Sequence, residues 1–310
     1  MHKPNQTKMG VLACPSELGA GNAGASYGVT ELCDWISKEY ELPVTYASVV
    51  NRVVQEQIVG FKNAEQVLQN LQSVYHEALR VFNSHEFTYV VSGDHSNALA
   101  SFSAFSDLYS AEDSGLIWID AHADLHTPFT SPSGNIHGMP LGALLGTGHT
   151  EQSVRNLSAE SQHIWNRFKD LSKKNITPKL LPHNLLIVGL RDYEHQELEL
   201  INQLSIQMIT PEQWSSQSVD HSVEAVTKFA SRCKHLYVSF DIDSLDASIV
   251  PGTGTPVSEG LLLEDSVALL KALKALDQCR VIEFTEYNPT LDVDSITQET
   301  VQKVLGSCLG

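Results

Sequence analysis

The chain has 310 residues, of which 42% are hydrophobic and 18% are charged, and its formal net charge at pH 7 is −17. This composition is typical of a soluble globular enzyme with a sizeable core, and the negative charge argues against nucleic acid or an anionic membrane as a partner. It is compatible with a small cationic substrate, or with metal ions that offset a cluster of carboxylates.

Short apolar runs rich in β-branched and aromatic residues recur along the chain and predict strands. In chain order they are GVLAC (10–14), VTYASVV (44–50), FTYVVSG (87–93), GLIWIDA (115–121), NLLIVGL (184–190), the weaker IQMIT (206–210), HLYVSFD (235–241) and VIEFTEY (281–287). Amphipathic stretches such as AEQVLQNLQSVYHEALRVF and LEDSVALLKALKALD lie between them and predict helices. This alternation predicts an α/β protein with a largely parallel sheet covered on both faces, in one domain over residues 1–310.

The five cysteines are widely spaced and form no CxxC pair, which favours free thiols in a reducing compartment. The N-terminal segment MHKPNQTKMG is polar and lacks the apolar core of a signal peptide. No apolar run approaches the length of a membrane span. We therefore predict a cytoplasmic protein.

Polar clusters follow four of the predicted strands, at the carboxyl ends where sites form in α/β sheets. They are Asp94-His95 after VVSG, DAHAD (120–124) after LIWI, Asp241 and Asp243 after YVSF, and Glu286 after VIEFT. Each motif by itself has a simpler interpretation, since a lone DxD at a strand end is usually a turn or a helix cap. Their occurrence together at equivalent strand ends favours a metal site, because buried charges are costly unless paired or coordinated.

Alternate residues of a strand point to one side. Asp120, His122 and Asp124 therefore share a side, as do Asp241 and Asp243. With the histidine of GDHS they make four carboxylates and two imidazoles, a set too acidic for a structural zinc site. Oxygen and nitrogen ligands suit Mn²⁺ or a similar ion, and the charge of four carboxylates favours two ions, which can share a bridging hydroxide as the nucleophile of metal-assisted hydrolysis.

Six motifs are distributed between Gly93 and Pro289: GDHS (93–96), DAHADLHTP (120–128), SGNIHGMP (133–140), SFDIDSLD (239–246), GTGTPVSEGL (252–261) and EYNP (286–289). Together they resemble the ordered motifs of the ureohydrolase superfamily, and SGNIHGMP resembles the arginases more than the agmatinases or formimidoylglutamases. The resemblance implies a three-layer α/β/α fold with roughly eight strands, a binuclear manganese centre, and hydrolysis of a guanidino group to urea and an amine. It also implies a homo-oligomer, a trimer or a hexamer.

The resemblance implies a role for each matching residue. The ligands implied for one Mn²⁺ are His95, Asp120, Asp124 and Asp241. The ligands implied for the other are Asp120, His122, Asp241 and Asp243, so that two aspartates bridge the ions. Asp124 would help move a proton to the leaving amine, Glu286 would pair with the guanidinium, and His137 would act as a proton shuttle or general acid at the cleft mouth.

Other matching residues would recognise the α-amino acid head of the substrate. Ser133 and Asn135 resemble the groups that bind the α-carboxylate, and Thr255 lies in the glycine-containing loop that would line the cleft. The segment GLRDYEHQELE (189–199) resembles the loop that binds the α-amino group, and its candidates are Asp192, Glu194 and Glu197.

Three features depart from the arginase pattern. His126 stands where arginases commonly have an asparagine that contacts the carboxylate, and Glu194 stands where a shorter aspartate is usual. The segment GAGNAGASYG lacks an arginine expected in that glycine-rich loop. His126 either donates to a substrate carboxylate, marks a different substrate, or packs behind the site, and the sequence favours none of these.

The leading prediction is a manganese-dependent arginase that converts L-arginine and water to L-ornithine and urea. The first alternative is a sister ureohydrolase: an agmatinase, guanidinobutyrase, guanidinase or formimidoylglutamase. The second is a zinc-dependent amide hydrolase of the related deacetylase architecture. That alternative predicts one catalytic metal and fewer carboxylate ligands, so the two bridging aspartates argue against it. The third is a catalytically silent member of the fold. Such a protein would be expected to lose metal ligands, but all six candidate ligands and Glu286 are present.

Overall fold

The computed structural model describes residues 7–52, 57–58, 60–174 and 177–309. The polar segment MHKPNQ, on which part of the signal-peptide prediction rests, lies outside the described residues. Within them, none of the helices combines the length and the apolar character needed to span a bilayer.

The main sheet of the described residues contains eight strands, and two further strands form a separate hairpin. In chain order the strands are β1 (Thr7–Cys14), β2 (Val44–Tyr46), β3 (Gln57–Ile58), β4 (Phe61–Lys62), β5 (His85–Ser92), β6 (Ser114–Ile119), β7 (Leu185–Val188), β8 (Gln207–Ile209), β9 (His235–Asp241) and β10 (Cys279–Thr285). The order in the sheet is β2-β1-β5-β10-β9-β6-β7-β8, with every neighbouring pair parallel. The predicted parallel sheet is confirmed, and each of the eight apolar runs overlaps one of its strands.

Helices connect the strands and cover both faces of the sheet. In this part of the chain they are α1 (Ala25–Tyr40), α2 (Ala64–Ser84), α3 (Asn97–Tyr109), α4 (Pro140–Leu144), α5 (Ala159–Lys169), α6 (His195–Leu204), α7 (Pro211–Ser215), α8 (Val219–Ala230), α9 (Leu263–Lys274) and α10 (Ile296–Leu309). One apolar cluster lies under α2, α3 and α5, and a second lies under α1, α8, α9 and α10. The predicted three-layer α/β/α arrangement is therefore confirmed.

Strand β6 explains why the sequence of the central strands is almost wholly apolar. Leu116 and Trp118 belong to the cluster on one face, and Ile117 and Ile119 belong to the cluster on the other. All six residues of the strand are buried. A parallel strand covered on both sides has no solvent-facing positions, so it shows no polar alternation until it ends.

The sheet order brings the four polar strand ends together. Strands β5, β10, β9 and β6 are consecutive neighbours, and all run in one direction. Their register aligns Thr285 with Asp241, so Glu286 follows its strand at the level of the aspartate motif. Residues separated by up to 191 positions in the chain thus meet at one edge, as the hydrogen bond from His95 N to Glu286 illustrates.

Strand β2 is shorter than the predicted VTYASVV run. Pairing with β1 ends at Tyr46, and Ala47 N makes one more bond, to Ala13 O at 2.9 Å. Beyond it, the side chain of Asn70 accepts from Val50 N at 3.0 Å and donates to Val50 O at 3.1 Å. Because α2 supplies these backbone partners, the apolar run continues without continuing the sheet.

The hairpin of β3 and β4 was not predicted, since two-residue strands leave no periodic pattern. It pairs antiparallel, with Ile58 opposite Phe61. Lys62 N then donates to Gly134 O at 2.9 Å. The hairpin therefore supports the SGN segment, which belongs to the cleft described below.

A glycine in α1 provides a test of the packing behind the site. A Cβ added to Gly28 would lie 2.2 Å from the carbonyl oxygen of Tyr287, the residue after Glu286. We predict that Gly28→Ala lowers the free energy of unfolding by about 1–3 kcal/mol, because a backbone carbonyl must move. Urea unfolding would measure this, with Gly148→Ala as control, since its nearest contact would be an ordinary 3.6 Å. Equal stability of both variants would contradict the prediction.

Candidate metal centre and substrate cleft

One cavity of about 260 Å³ collects the residues predicted for the site. All fifteen of them line it, and Pro132 and Gly138 complete its wall. The strand ends of β5, β6, β9 and β10 form its floor. The cavity therefore brings metal, catalytic and substrate-head candidates into one space, as the sequence predicted.

A first cluster surrounds the ring of His95. Its Nδ1 lies 3.0 Å from Asp120 Oδ2, 3.2 Å from Asp124 Oδ2 and 3.1 Å from Asp241 Oδ2. All four side chains are buried. The ring is held flat against Trp118, with centroids 3.8 Å apart and planes 5° from parallel, so its nitrogen is aimed at the three carboxylates.

A second cluster shares Asp120 with the first. His122 Nδ1 lies 3.4 Å from Asp120 Oδ1 and 3.1 Å from Asp243 Oδ2. Thr255 donates to the same Asp243 oxygen at 3.1 Å, and Asp241 Oδ1 accepts from Asp243 N at 2.8 Å. Asp120 thus offers one oxygen to each cluster. The structure groups Asp241 with the first cluster, and its bridging role stays a prediction.

The donor atoms of both clusters fit divalent cations. His95 Nδ1 and Asp120 Oδ2 are buried and have no hydrogen-bond partner, although such atoms are costly to leave unpaired. Burial and the charges of Asp243 and Asp120 raise the pKa of Asp241 well above its usual range. Burial and Asp120 raise the pKa of Asp124 to about 6. These carboxylates repel one another, and cations between them would relieve that repulsion.

His137 and Glu286 form a largely buried pair beside the first cluster. His137 Nδ1 lies 3.1 Å from Glu286 Oε1, and the same oxygen accepts from His95 N at 2.8 Å. Burial acts to lower the pKa of His137, but the hydrogen bond to Glu286 and the nearby carboxylates outweigh it and raise the pKa to about 9. The pKa of Glu286 is lowered, since the same contacts outweigh its burial. His137 is therefore an imidazolium in this arrangement.

Two of these acids have a strained backbone. Asp124 has φ of 49° and Glu286 has φ of 67°, the left-handed region that costs a non-glycine residue of order 1–3 kcal/mol. Surrounding bonds hold both in place: Asp124 O accepts from Leu141 N at 3.0 Å, and Glu286 N donates to Gly93 O at 2.9 Å. The local sequence gave no sign of this geometry.

At the other end of the cleft, helix α6 is tied to the aspartate loop. Glu194 and Glu197 form a capping box at its N-terminus, and Glu197 Oε1 accepts from Leu125 N at 3.0 Å. His126 Nε2 lies 2.8 Å from Glu194 Oε2 and 3.5 Å from Glu197 Oε2. Its Nδ1 contacts Thr130 Oγ1 at 3.1 Å. Both ring nitrogens of His126 are therefore engaged by protein groups.

The SGN segment forms the facing wall of this end. Asn135 N donates to Ser133 Oγ at 3.1 Å. Lys62 Nζ, from the hairpin, donates to Asn135 Oδ1 at 2.8 Å. The amide oxygen is thereby occupied, and the Asn135 NH₂ group remains as a donor for an anionic group. Lys62 was not predicted as a site residue, because it lies far from every motif in the sequence.

Two residues behind the metal clusters were also missed. Ser239 and Glu283 are fully buried, and Ser239 Oγ lies 2.8 Å from His95 Nε2. The sequence does contain a pattern that could have identified Ser239. It precedes Asp241 by two positions, so the two side chains lie on the same side of β9.

Metal binding predicts a specific stability pattern. We expect Mn²⁺ to raise the melting temperature of EDTA-treated protein, since a ligand that binds only the folded state stabilises it by about 2.7 kcal/mol at 100 times its Kd. Asp241→Asn should lose most of that gain. In EDTA it should melt no lower than the wild type, because it removes a buried charge whose raised pKa opposes folding at neutral pH. Asp277→Asn, at an exposed acid, is the control, and a full Mn²⁺ gain in Asp241→Asn would contradict the assignment.

Comparison with known proteins identifies the family of this chain. The sequence model of the arginase family matches residues 7–310. The arginase of Bacillus subtilis strain 168 is 29% identical over 306 residues, and the match covers 97% of each chain.

Solved structures of arginases share the fold. The crystal structure of Entamoeba histolytica arginase in complex with L-ornithine gives a TM-score of 0.84 at 25% identity and covers 99% of this chain and 100% of that one. Native Bacillus caldovelox arginase gives 0.83 at 26% identity and covers 98% of each chain. Because the family's sequence model spans nearly the whole chain, the protein belongs to the arginase family and is a hydrolase of guanidino carbon–nitrogen bonds.

Proposed function

We propose that the protein is an arginase that hydrolyses L-arginine to L-ornithine and urea at a binuclear manganese centre. The observation that carries this proposal is the sharing of Asp120 between two histidine–carboxylate clusters, with Glu286 in the same cavity. The carboxylate-rich set of oxygen and nitrogen donors supports Mn²⁺ rather than a structural zinc ion. The chemistry that two such ions supply when bound is the activation of a water molecule near neutral pH.

The protein's own residues orient the substrate and move protons. Glu286 is a buried carboxylate with a lowered pKa, which suits a charge-assisted pair with the planar guanidinium. His137 is held against it at 3.1 Å, so it is placed to act as a general acid or shuttle. Asp124, buried beside His95, would take part in proton transfer to the leaving amine.

The metal assignment divides the ligands as follows. His95, Asp120, Asp124 and Asp241 would hold one ion. Asp120, His122, Asp241 and Asp243 would hold the other. Thr255 would steady the second set through its bond to Asp243.

The far end of the cleft would bind the amino acid head. Ser133 and the Asn135 amide, oriented by Lys62, would hold the α-carboxylate. Asp192 would accept from the α-amino group, since its side chain is 65% exposed. Glu194 is less available to accept from the α-amino group, because His126 binds one of its oxygens. The same carboxylate also caps α6 together with Glu197.

This engagement of Glu194 favours a second candidate function. An enzyme in which His126 holds Glu194 would discriminate weakly between L-arginine and a guanidino acid that lacks the α-amino group, such as 4-guanidinobutyrate. We therefore keep a guanidino-acid ureohydrolase as the alternative. Both candidates require a carboxylate at the end opposite the guanidinium.

Assembly and location are also proposals. We expect a homo-oligomer, a trimer or a hexamer, as the resemblance to arginases implies. The cysteines at positions 14, 33, 233, 279 and 308 are buried free thiols, which supports a reducing, cytoplasmic setting.

A substrate panel tests the proposed activity. We expect Mn²⁺-loaded protein to release urea from L-arginine with the highest kcat/KM, when L-arginine, agmatine, 4-guanidinobutyrate, guanidine and formiminoglutamate are compared. Agmatine should be poor, because it leaves the Asn135 amide without its carboxylate. Asp120→Ala should abolish turnover of every substrate. Preference for agmatine or guanidine would reject the proposal while leaving the metal chemistry intact.

His126 can be tested separately. Replacing His126 by Asn should free Glu194 to accept from an ammonium group, a charge-assisted hydrogen bond worth about 1.5–3 kcal/mol. We expect KM for L-arginine to fall about tenfold or more, with kcat and the KM for 4-guanidinobutyrate little changed.

The matched control is His195→Asn at the start of α6, because the His195 side chain is 74% exposed. A rise in KM for both substrates would instead mean that His126 itself binds the carboxylate.

A further inference from the structure

A buried carboxylate lies behind the first metal cluster. Glu283, in the middle of β10, is 0% exposed. Its Oε1 accepts from Ser92 Oγ at 2.5 Å, and its Oε2 accepts from Tyr237 OH at 2.9 Å and from Ser239 Oγ at 3.1 Å. A carboxylate is costly to bury, and neither the metal clusters nor the substrate cleft uses this one.

The hydrogen bonds around Ser239 determine where the His95 proton lies. A serine hydroxyl has a single hydrogen, and Ser239 gives it to Glu283. Ser239 Oγ can then only accept from its other partner, His95 Nε2, at 2.8 Å. The hydrogen of a neutral His95 ring is therefore on Nε2.

This tautomer leaves the lone pair on His95 Nδ1. That nitrogen is the one surrounded by carboxylate oxygens of Asp120, Asp124 and Asp241 at 3.0–3.2 Å, and it has no hydrogen-bond partner. A bare lone pair among carboxylates is unfavourable unless a cation lies between them. The network thus presents Nδ1 as a ligand.

The same assignment of hydrogens holds for the ionised Glu283 and for a neutral Glu283 whose proton lies on Oε1. Burial raises the pKa of this carboxyl group, but a proton on Oε1 would point to Ser92 and leave Oε2 as an acceptor. Tyr237 OH, 2.8 Å from Ser101 Oγ, approaches the same Oε2. With the proton on Oε1, Oε2 accepts from Ser239 as it does in the ionised carboxylate.

We propose that Glu283 is a positioning residue of the metal centre. Acting through Ser239, it holds His95 in the tautomer whose Nδ1 lone pair faces the carboxylates, and so sets the affinity of the first cluster for its divalent ion. Glu283 touches neither the ion nor the substrate. The proposal concerns metal binding alone and does not depend on which guanidino compound is hydrolysed.

Metal titration of EDTA-stripped protein by calorimetry, with Mn²⁺ as the probe, tests it. Glu283→Leu removes the acceptor, and Ser239→Ala removes the link with a smaller disturbance of the core. We expect each to weaken one of the two binding steps by about 10- to 100-fold, the usual cost of losing such a partner, and to leave the other step, at the His122 cluster, within a few-fold of the wild type.

Two controls separate positioning from general damage. Glu283→Gln keeps an acceptor for Ser239 while its NH₂ faces Ser92, so it should retain wild-type affinity. Tyr237→Phe removes a hydroxyl from the same Oε2 but leaves the Ser239 bond, so it should also bind normally. The melting temperature in EDTA reports any structural loss independently of metal.

Three results would overturn the proposal. Ser239→Ala could bind both ions with wild-type affinity. Glu283→Gln could lose as much affinity as Glu283→Leu, which would make charge rather than the acceptor responsible. Tyr237→Phe could lose as much as either, which would indicate disturbed packing. Failure of the arginase proposal would appear only in the substrate panel, so the two failures are distinguishable.

Discussion

The mutual repulsion of buried carboxylates at one edge of the sheet is the constraint on which the rest of the site depends. Asp120, Asp241 and Asp243 are almost fully buried, and burial together with neighbouring charges raises the pKa of Asp241. Such a group is stable only where histidines or cations compensate it. His95 and His122 lie within about 3 Å of these acids, and the remaining charge defines a place for divalent ions.

The parallel sheet is what makes this concentration of charge possible. Four adjacent strands end at the same edge, and each brings polar side chains to it after a mostly buried run. The backbone at Asp124 and Glu286 is strained to turn their side chains into the cavity. Because the apolar clusters on both faces are extensive, the fold tolerates that local cost.

Different interactions orient the side chains at the two ends of the cleft. At the metal end, hydrogen bonds from buried hydroxyls orient the ligands, as Ser239 does for His95. At the opposite end, orientation comes from a helix cap: Glu194 and Glu197 begin α6 and also hold His126. Because His126 pairs with Glu194 and Glu197, it reduces the negative charge that these acids can offer to a substrate ammonium group. The same two acids cap α6, so substrate specificity and helix capping depend on the same side chains.

The sequence by itself determined the eight strands, the parallel sheet and the strand ends at which the aspartates lie. Those features depend on periodicity within a few residues, which is visible in LIWIDAHAD. Only the tertiary structure decided that Asp120 serves both clusters, that His126 binds Glu194, that Lys62 orients Asn135, and that Glu283 reaches His95 through Ser239. These contacts join residues far apart in the chain, and strand order, register and loop packing set them, none of which a local pattern encodes.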